Sequence, residues 1–89
     1  MMYPFLTLDD NTEIVHSECR KDGTVKVYME RPDEKDGFHH ATCILPMYRW
    51  EDVVGFCQTD IHHLSSVLHL SESKLYSSLI VDRMEGKAL

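Results

Sequence analysis

The stretch Phe38-His39-His40-Ala41-Thr42-Cys43 places two imidazoles and a thiol close together in an apolar run. These are the ligand types that hold zinc and other borderline metals. Whether they can act together depends on the backbone beneath them. On a helix, His39 and Cys43 would share a face. On a strand, at ~3.4 Å per residue, they would lie about 13 Å apart and could not share one ion. Phe38, Thr42, Cys43 and Ile44 favour strand and Pro46 ends the run, so a strand is expected, with His39 and His40 pointing to opposite faces. Close ligand pairs of the C-x2-C or H-x3-H kind do not occur: His62 and His63 are adjacent, and His69 follows His62 by two helical turns. The metal arrangement that spacing leaves open is cross-strand, joining His16 to His39 or His40. No metal or cofactor is assigned.

Nucleophilic chemistry is the other use for such residues. A reactive cysteine needs a base within hydrogen-bond reach and often a helix N-terminus behind it. Cys43 falls mid-strand, where a cysteine usually serves as a small core residue. Cys57 falls just before a helical pattern and is the better placed of the two, yet no glycine-rich or nucleophile-elbow signature surrounds it. The chain also lacks a P-loop and a dinucleotide fingerprint. No catalytic residue is assigned.

Composition narrows the possibilities further. With 89 residues, 43% hydrophobic and 27% charged, the chain suits one globular domain spanning residues 1–89. The net charge of −6 is spread along it: residues 1–46 carry nine acidic and five basic side chains, and residues 47–89 carry six and four. Without a basic cluster to neutralise phosphates, nucleic acid is a poor partner. Three cysteines cannot all pair within one chain, and neither a signal-peptide run nor a stretch of the ~20 apolar residues that spans a bilayer is present. A cytoplasmic, membrane-free setting is expected.

The positioning elements follow from pattern. Tyr-Pro-Phe-Leu-Thr-Leu reads as a strand, Asp-Asp-Asn-Thr as a turn and Glu-Ile-Val-His-Ser-Glu-Cys-Arg as a second strand. Thr-Val-Lys-Val-Tyr-Met-Glu alternates strictly, with Val25, Val27 and Met29 on one face. Gly23 can close a three-residue loop, Lys21-Asp22-Gly23, that sets Arg20 opposite Thr24. Counting outward from that loop puts Val15 and Cys19 on the buried face with Val25, Val27 and Met29. It puts Ile14, His16 and Glu18 on the polar face with Lys26, Tyr28 and Glu30. Pro46 to Phe56 suits a short helical or turn element, with Trp50, Val53 and Phe56 at helical spacing. Trp50 would either plug the end of the sheet or form an exposed contact.

From Thr59 onward the pattern is helical. Ile61, Leu64 and Leu68 form a stripe that lapses at Ser71 and Glu72, and Ser71 could cap a second helix carrying Leu75, Tyr76, Leu79 and Ile80. Two helices are expected, with one long helix as the rival. The fold class is therefore α+β: a small antiparallel β-meander of three or four strands over residues 1–45, packed against C-terminal helices over residues 46–89.

The segments "PFLTLDDNTEIVHSE", "DGTVKVYMERPDEKDGFHHATCILP" and "RWEDVVGF" resemble the opening two-thirds of a set of short, uncharacterised bacterial proteins, over residues 3–56. The resemblance implies a bacterial cytoplasmic setting and carries no activity, cofactor or catalytic residue. The functional expectation is a non-catalytic protein-interaction or regulatory module that meets a protein partner or a second copy of itself. The candidate contact residues are His16, Glu18, Tyr28 and Glu30 on the polar sheet face, and Leu75, Tyr76, Leu79 and Ile80 on the last helix. The alternatives are a DNA-binding regulator using the two C-terminal helices as a helix-turn-helix-like pair, or a cross-strand histidine metal site.

Overall fold

A computed structural model describes the backbone of residues 2–35 and 37–88, and the side chains of residues 2–35 and 37–77. Strands β1 (Met2–Thr7), β2 (Glu13–Ser17), β3 (Val25–Asp33), β4 (Gly37–Leu45) and β5 (Arg49–Val54) are followed by helix α1 (Gln58–Ala88). Each strand pairs antiparallel with the next, so the sheet order is β1-β2-β3-β4-β5. The α+β class and the antiparallel meander hold. The strand count is five rather than three or four, and a single helix replaces the expected helices. Among the described residues no helix is long and apolar enough to cross a membrane.

Two of the turns are built alike from similar tetrapeptides, Asp9-Asp10-Asn11-Thr12 and Lys21-Asp22-Gly23-Thr24. In the first, Leu8 N donates to Thr12 O (2.9 Å) and Asn11 N to Leu8 O (2.9 Å); in the second, Arg20 N donates to Thr24 O (2.8 Å) and Gly23 N to Arg20 O (2.9 Å). In both, the threonine gives its backbone N–H (3.0 Å) and its hydroxyl (2.6 Å) to Oδ1 of the aspartate two residues earlier. The residue before the threonine is left-handed, Asn11 at φ 68° and Gly23 at φ 83°. Asparagine and glycine are the residues that occupy this conformation most readily. Accepting these bonds holds the Asp10 and Asp22 carboxyls below the usual carboxylate range, the threonine hydroxyl being the largest cause in each.

The second turn has the expected loop, but the register beyond it does not follow. Ile14 pairs with Met29, Val15 with Tyr28 and His16 with Val27, one residue away from the pairing that Arg20 and Thr24 begin. The slip is a β-bulge: Glu18 and Cys19 together lie opposite Val25, and Ser17 Oγ accepts the Lys26 N–H (2.9 Å) in place of a ladder carbonyl. A one-residue slip turns the whole strand over. Ile14 and His16 are therefore buried and Val15 is not, the reverse of the expectation for β2, whereas Val25, Val27 and Met29 face the core as expected.

The segment expected to be a short helix or turn is strand β5. Between Pro46 and Gly55 there is too little chain for a stable helix, while the outer edge of β4 offers a full ladder of backbone partners. Asp52, at φ 50°, is the extra residue where the pairing shifts between His40–Val54 and Thr42–Glu51. Trp50 pairs with Cys43 and packs, half-buried, against the core.

One helix also replaces two because the lapse at Ser71 and Glu72 is filled by a polar contact. The Tyr48 hydroxyl donates to Glu72 Oε2 (3.1 Å), and the Tyr48 ring stacks on His69 at 4.0 Å between centroids. Glu72 thus sits on the sheet-facing stripe with a partner, and the stripe resumes at Leu75. Leu64, Leu68 and Leu75 close over Ile14, Val25, Val27, Met29, Ala41, Cys43 and Leu45 to make the core. Without a break, α1 leaves no turn for a helix-turn-helix pair.

Candidate functional site

Arg31, at the end of β3, gathers the densest polar cluster. Its guanidinium donates to Asp10 Oδ2 (3.3 Å) and to both Asp60 carboxylate oxygens (3.4 and 3.3 Å), and lies 4.9 Å from the centroid of the Phe56 ring. It also contacts His39 Nδ1 at 3.4 Å. A guanidinium only donates, so Nδ1 accepts and Nε2 carries the proton, facing Asp33 Oδ2 at 3.7 Å. The His39 ring meets Phe56 edge-on at 5.8 Å. Gly55, at φ 87°, lets the backbone run against that ring, where any Cβ would overlap it.

Asp60 closes the first turn of α1 by accepting the Cys57 backbone N–H (3.1 Å) and the Cys57 thiol (3.3 Å) on Oδ2. The Cys57 N–H is the largest cause holding the Asp60 carboxyl below its ordinary range, with Arg31 adding to it. A carboxylate is thus the group that receives the Cys57 S–H, while both His39 nitrogens face Arg31 and Asp33. The geometry is that of a clasp: it ties the turn before β2, the end of β3, β4 and the start of α1 to one guanidinium. Among the described residues, no group of three or more His, Cys, Asp or Glu could hold a metal ion.

The cysteines have distinct environments that labelling can read. Cys43 is fully buried, and burial pushes its thiol up to about 12; Cys57 is exposed. Iodoacetamide on the folded protein is expected to alkylate Cys57 and to spare Cys43 until denaturant is added, as followed by peptide mass spectrometry. Equal labelling of the two would contradict the packing of β4 against α1.

The proposed contact residues divide. His16 is 4% exposed and lies on the helix-facing side, near the rings of Tyr3 (5.8 Å) and Phe5 (6.0 Å), with Nδ1 donating to Ser17 O (2.8 Å). It therefore offers no outer surface, and its face is opposite to that of His40. Glu18 is exposed within the bulge. Leu75 is sealed in the chain's own core, and Tyr76 is half-buried. Leu79 and Ile80 lie outside the residues whose side chains are described.

Tyr28 and Glu30 do come together on the face of the sheet away from α1, where the Tyr28 hydroxyl donates to Glu30 Oε1 (3.3 Å). His40, which pairs with Glu30 across the strands, stacks on Tyr28 at 6.2 Å. Val54 pairs with His40 on the other side, and Phe38 lies two residues along β4 on the same face. Phe38 is 53% exposed and Val54 51%. Strand alternation from Phe38 places His40 and Phe38 together; nothing in the sequence marks Val54 as their neighbour, because the pattern from Pro46 to Phe56 suits a short helical or turn element rather than a strand beside β4. No family model, curated protein or solved structure matches the chain.

Proposed function

We propose that this chain is a non-catalytic protein-interaction or regulatory module of a bacterial cytoplasm, with the helix-free face of its sheet as the contact surface. The observation that carries this reading is that one helix covers one face only, leaving Phe38 and Val54 exposed beside the stacked pair Tyr28–His40. Exposed apolar and aromatic side chains grouped on one face, with charges around them, are what protein contacts are made from. The sheet edges suit pairing less. The outer strand β1 carries Pro4 and a register shift beside it, and β5 carries the Asp52 bulge, both of which interrupt a backbone ladder.

The test is a Phe38→Asp/Val54→Asp variant. It is expected to melt within a few degrees of wild type, since both side chains are already in solvent, and to lose proteins that wild type retains in pull-downs from its native cytoplasm. A folded variant that retains every wild-type partner would exclude this face.

A further inference from the structure

We infer that the protein partner engages the helix-free face through an arginine, whose guanidinium enters a cleft between Glu13, Glu30 and Phe38. The inference rests on the interaction reading above and adds the chemistry of the occupant. Glu13 and Glu30 are Cα partners on neighbouring strands, and each alternates with a buried residue, Ile14 and Met29, so both stand on the side away from α1. Like charges set directly opposite one another destabilise a strand pair. Among the described residues, neither carboxylate has an ion-pair partner, and Glu30 accepts only the Tyr28 hydroxyl (3.3 Å). The cationic side chains nearby are engaged elsewhere or out of reach. Arg31 adjoins Glu30 in sequence but turns to the helix side, where Asp10 and Asp60 hold it. His40, opposite Glu30 on β4, stacks its ring on Tyr28. Lys26 lies two side-chain rows from Glu30 on the same strand, about 13 Å away. The repulsion between the two glutamates is therefore left for an outside cation to relieve.

The shape and walls of the cleft say which cation. Glu13 and Glu30 line a cavity of about 240 Å3 together with Asn11, Pro32 and Phe38. Pockets that bury a drug-sized ligand begin near ~300 Å3, so this one has room for a single side chain. One wall is a pair of carboxylates, which accept charge-assisted hydrogen bonds. Another is the Phe38 ring, 53% exposed, against which a cationic head and its aliphatic stem can both lie. An anion would meet two like charges here, and an apolar side chain would strip water from both carboxylates without replacing it. Arginine suits the walls better than lysine, because its planar fork can donate to two carboxylates at once while its flat face lies on a ring. From Glu30 the same row continues through His40 to Val54, which leaves exposed apolar surface for the partner residues beside the arginine.

Titration of the full chain with N-acetyl-arginine amide, followed residue by residue through its amide NMR signals, tests this. Saturable shifts are expected at Asn11, Glu13, Glu30 and Phe38, with a dissociation constant of about 1 to 10 mM for so small a probe. The citrulline analogue, which keeps the shape of arginine without its charge, should bind about tenfold more weakly or worse. The double variant Glu13→Gln/Glu30→Gln should lose affinity for the arginine probe to the same degree, while Glu51→Gln, a carboxylate elsewhere on the same face, should bind as wild type. Glutamine at position 30 keeps an oxygen for the Tyr28 hydroxyl, and the double variant should melt at or slightly above wild type because a like-charge pair has been removed. Shifts spread evenly over the acidic residues of the whole surface, equal binding of arginine and citrulline, or undiminished binding by the double variant would each overturn the inference. So would a wild type that shows no saturable shift at about 50 mM probe, well above the expected constant. The wider reading fails separately. Pull-downs in which Phe38→Asp/Val54→Asp loses its partners while Glu13→Gln/Glu30→Gln keeps them all would leave the face as a contact surface and remove the arginine from it.

Discussion

Ile14→Asp is expected to abolish cooperative unfolding, while Val15→Asp, one residue along the same strand, leaves a folded protein. Ile14 pairs with Met29 and is wholly buried against the helix. Val15 pairs with Tyr28 on the opposite face and is only half-buried. A carboxylate at Ile14 has no cation among the apolar groups around it, and an uncompensated buried charge costs several kcal/mol on top of the lost packing. A domain of this length has about 4 to 13 kcal/mol to lose, so most or all of its stability goes. The same carboxylate at Val15 can reach solvent, for about 1 kcal/mol. Urea unfolding followed by near-ultraviolet circular dichroism in dilute solution separates the two. Equal costs, or a larger cost at Val15, would mean that β2 takes the register counted from the Lys21–Gly23 loop and that the bulge at Glu18 and Cys19 is absent.

That register shows how far local pattern reaches. The β3 face was legible because Val25, Val27 and Met29 alternate with polar residues, and tight turn chemistry at Lys21-Asp22-Gly23 was legible because glycine supplies the left-handed residue. β2 offers Ile14 and Val15 side by side, so its composition fits either face. What decides is Ser17, whose hydroxyl takes over one ladder bond and admits an extra residue. Such an exchange leaves no periodic trace. The likeness of the two Asp-x-Thr turns was visible in the sequence, but it becomes informative only once both threonines are seen to spend N–H and hydroxyl on one carboxylate oxygen.

The residues around Arg31 were illegible for a different reason. Arg31 precedes Pro32 in a charged stretch that reads as a solvated connection, and Asp60 reads as an ordinary acid in a first helical turn. Their meeting depends on β3 continuing through Pro32 to Asp33 and on α1 starting directly after β5. The histidine pair, by contrast, was legible in outcome. Once a strand is assumed, alternation sends His39 and His40 to opposite faces, and the structure adds which is which: His39 meets Phe56 on the helix side and His40 stacks on Tyr28 on the other.

Leu75→Glu is expected to unfold the protein, and Leu70→Glu to leave its melting temperature nearly unchanged. At 100° per residue, Leu64, Leu68 and Leu75 fall within a narrow stripe, while Leu70 lies on the far side of the helix. The exposures agree: 1% for Leu75 and 87% for Leu70. Removing a buried leucine costs about 2 to 5 kcal/mol before any charge is considered, and the carboxylate must then be drawn out of the core by bending or detaching the helix. Leu70 loses no contact, and leucine and glutamate differ by only a few tenths of a kcal/mol in helix propensity. The pair also tests the continuity of α1. With two helices broken at Ser71, Leu75 would face a surface of its own, and Leu75→Glu would give a folded protein of altered association state. In one unbroken helix held at Glu72 by Tyr48, Leu75 must face the sheet, because the stripe that begins at Leu64 cannot change direction without a break. A folded Leu75→Glu variant in sedimentation and thermal melts would therefore refute the single helix as well as the core that it completes.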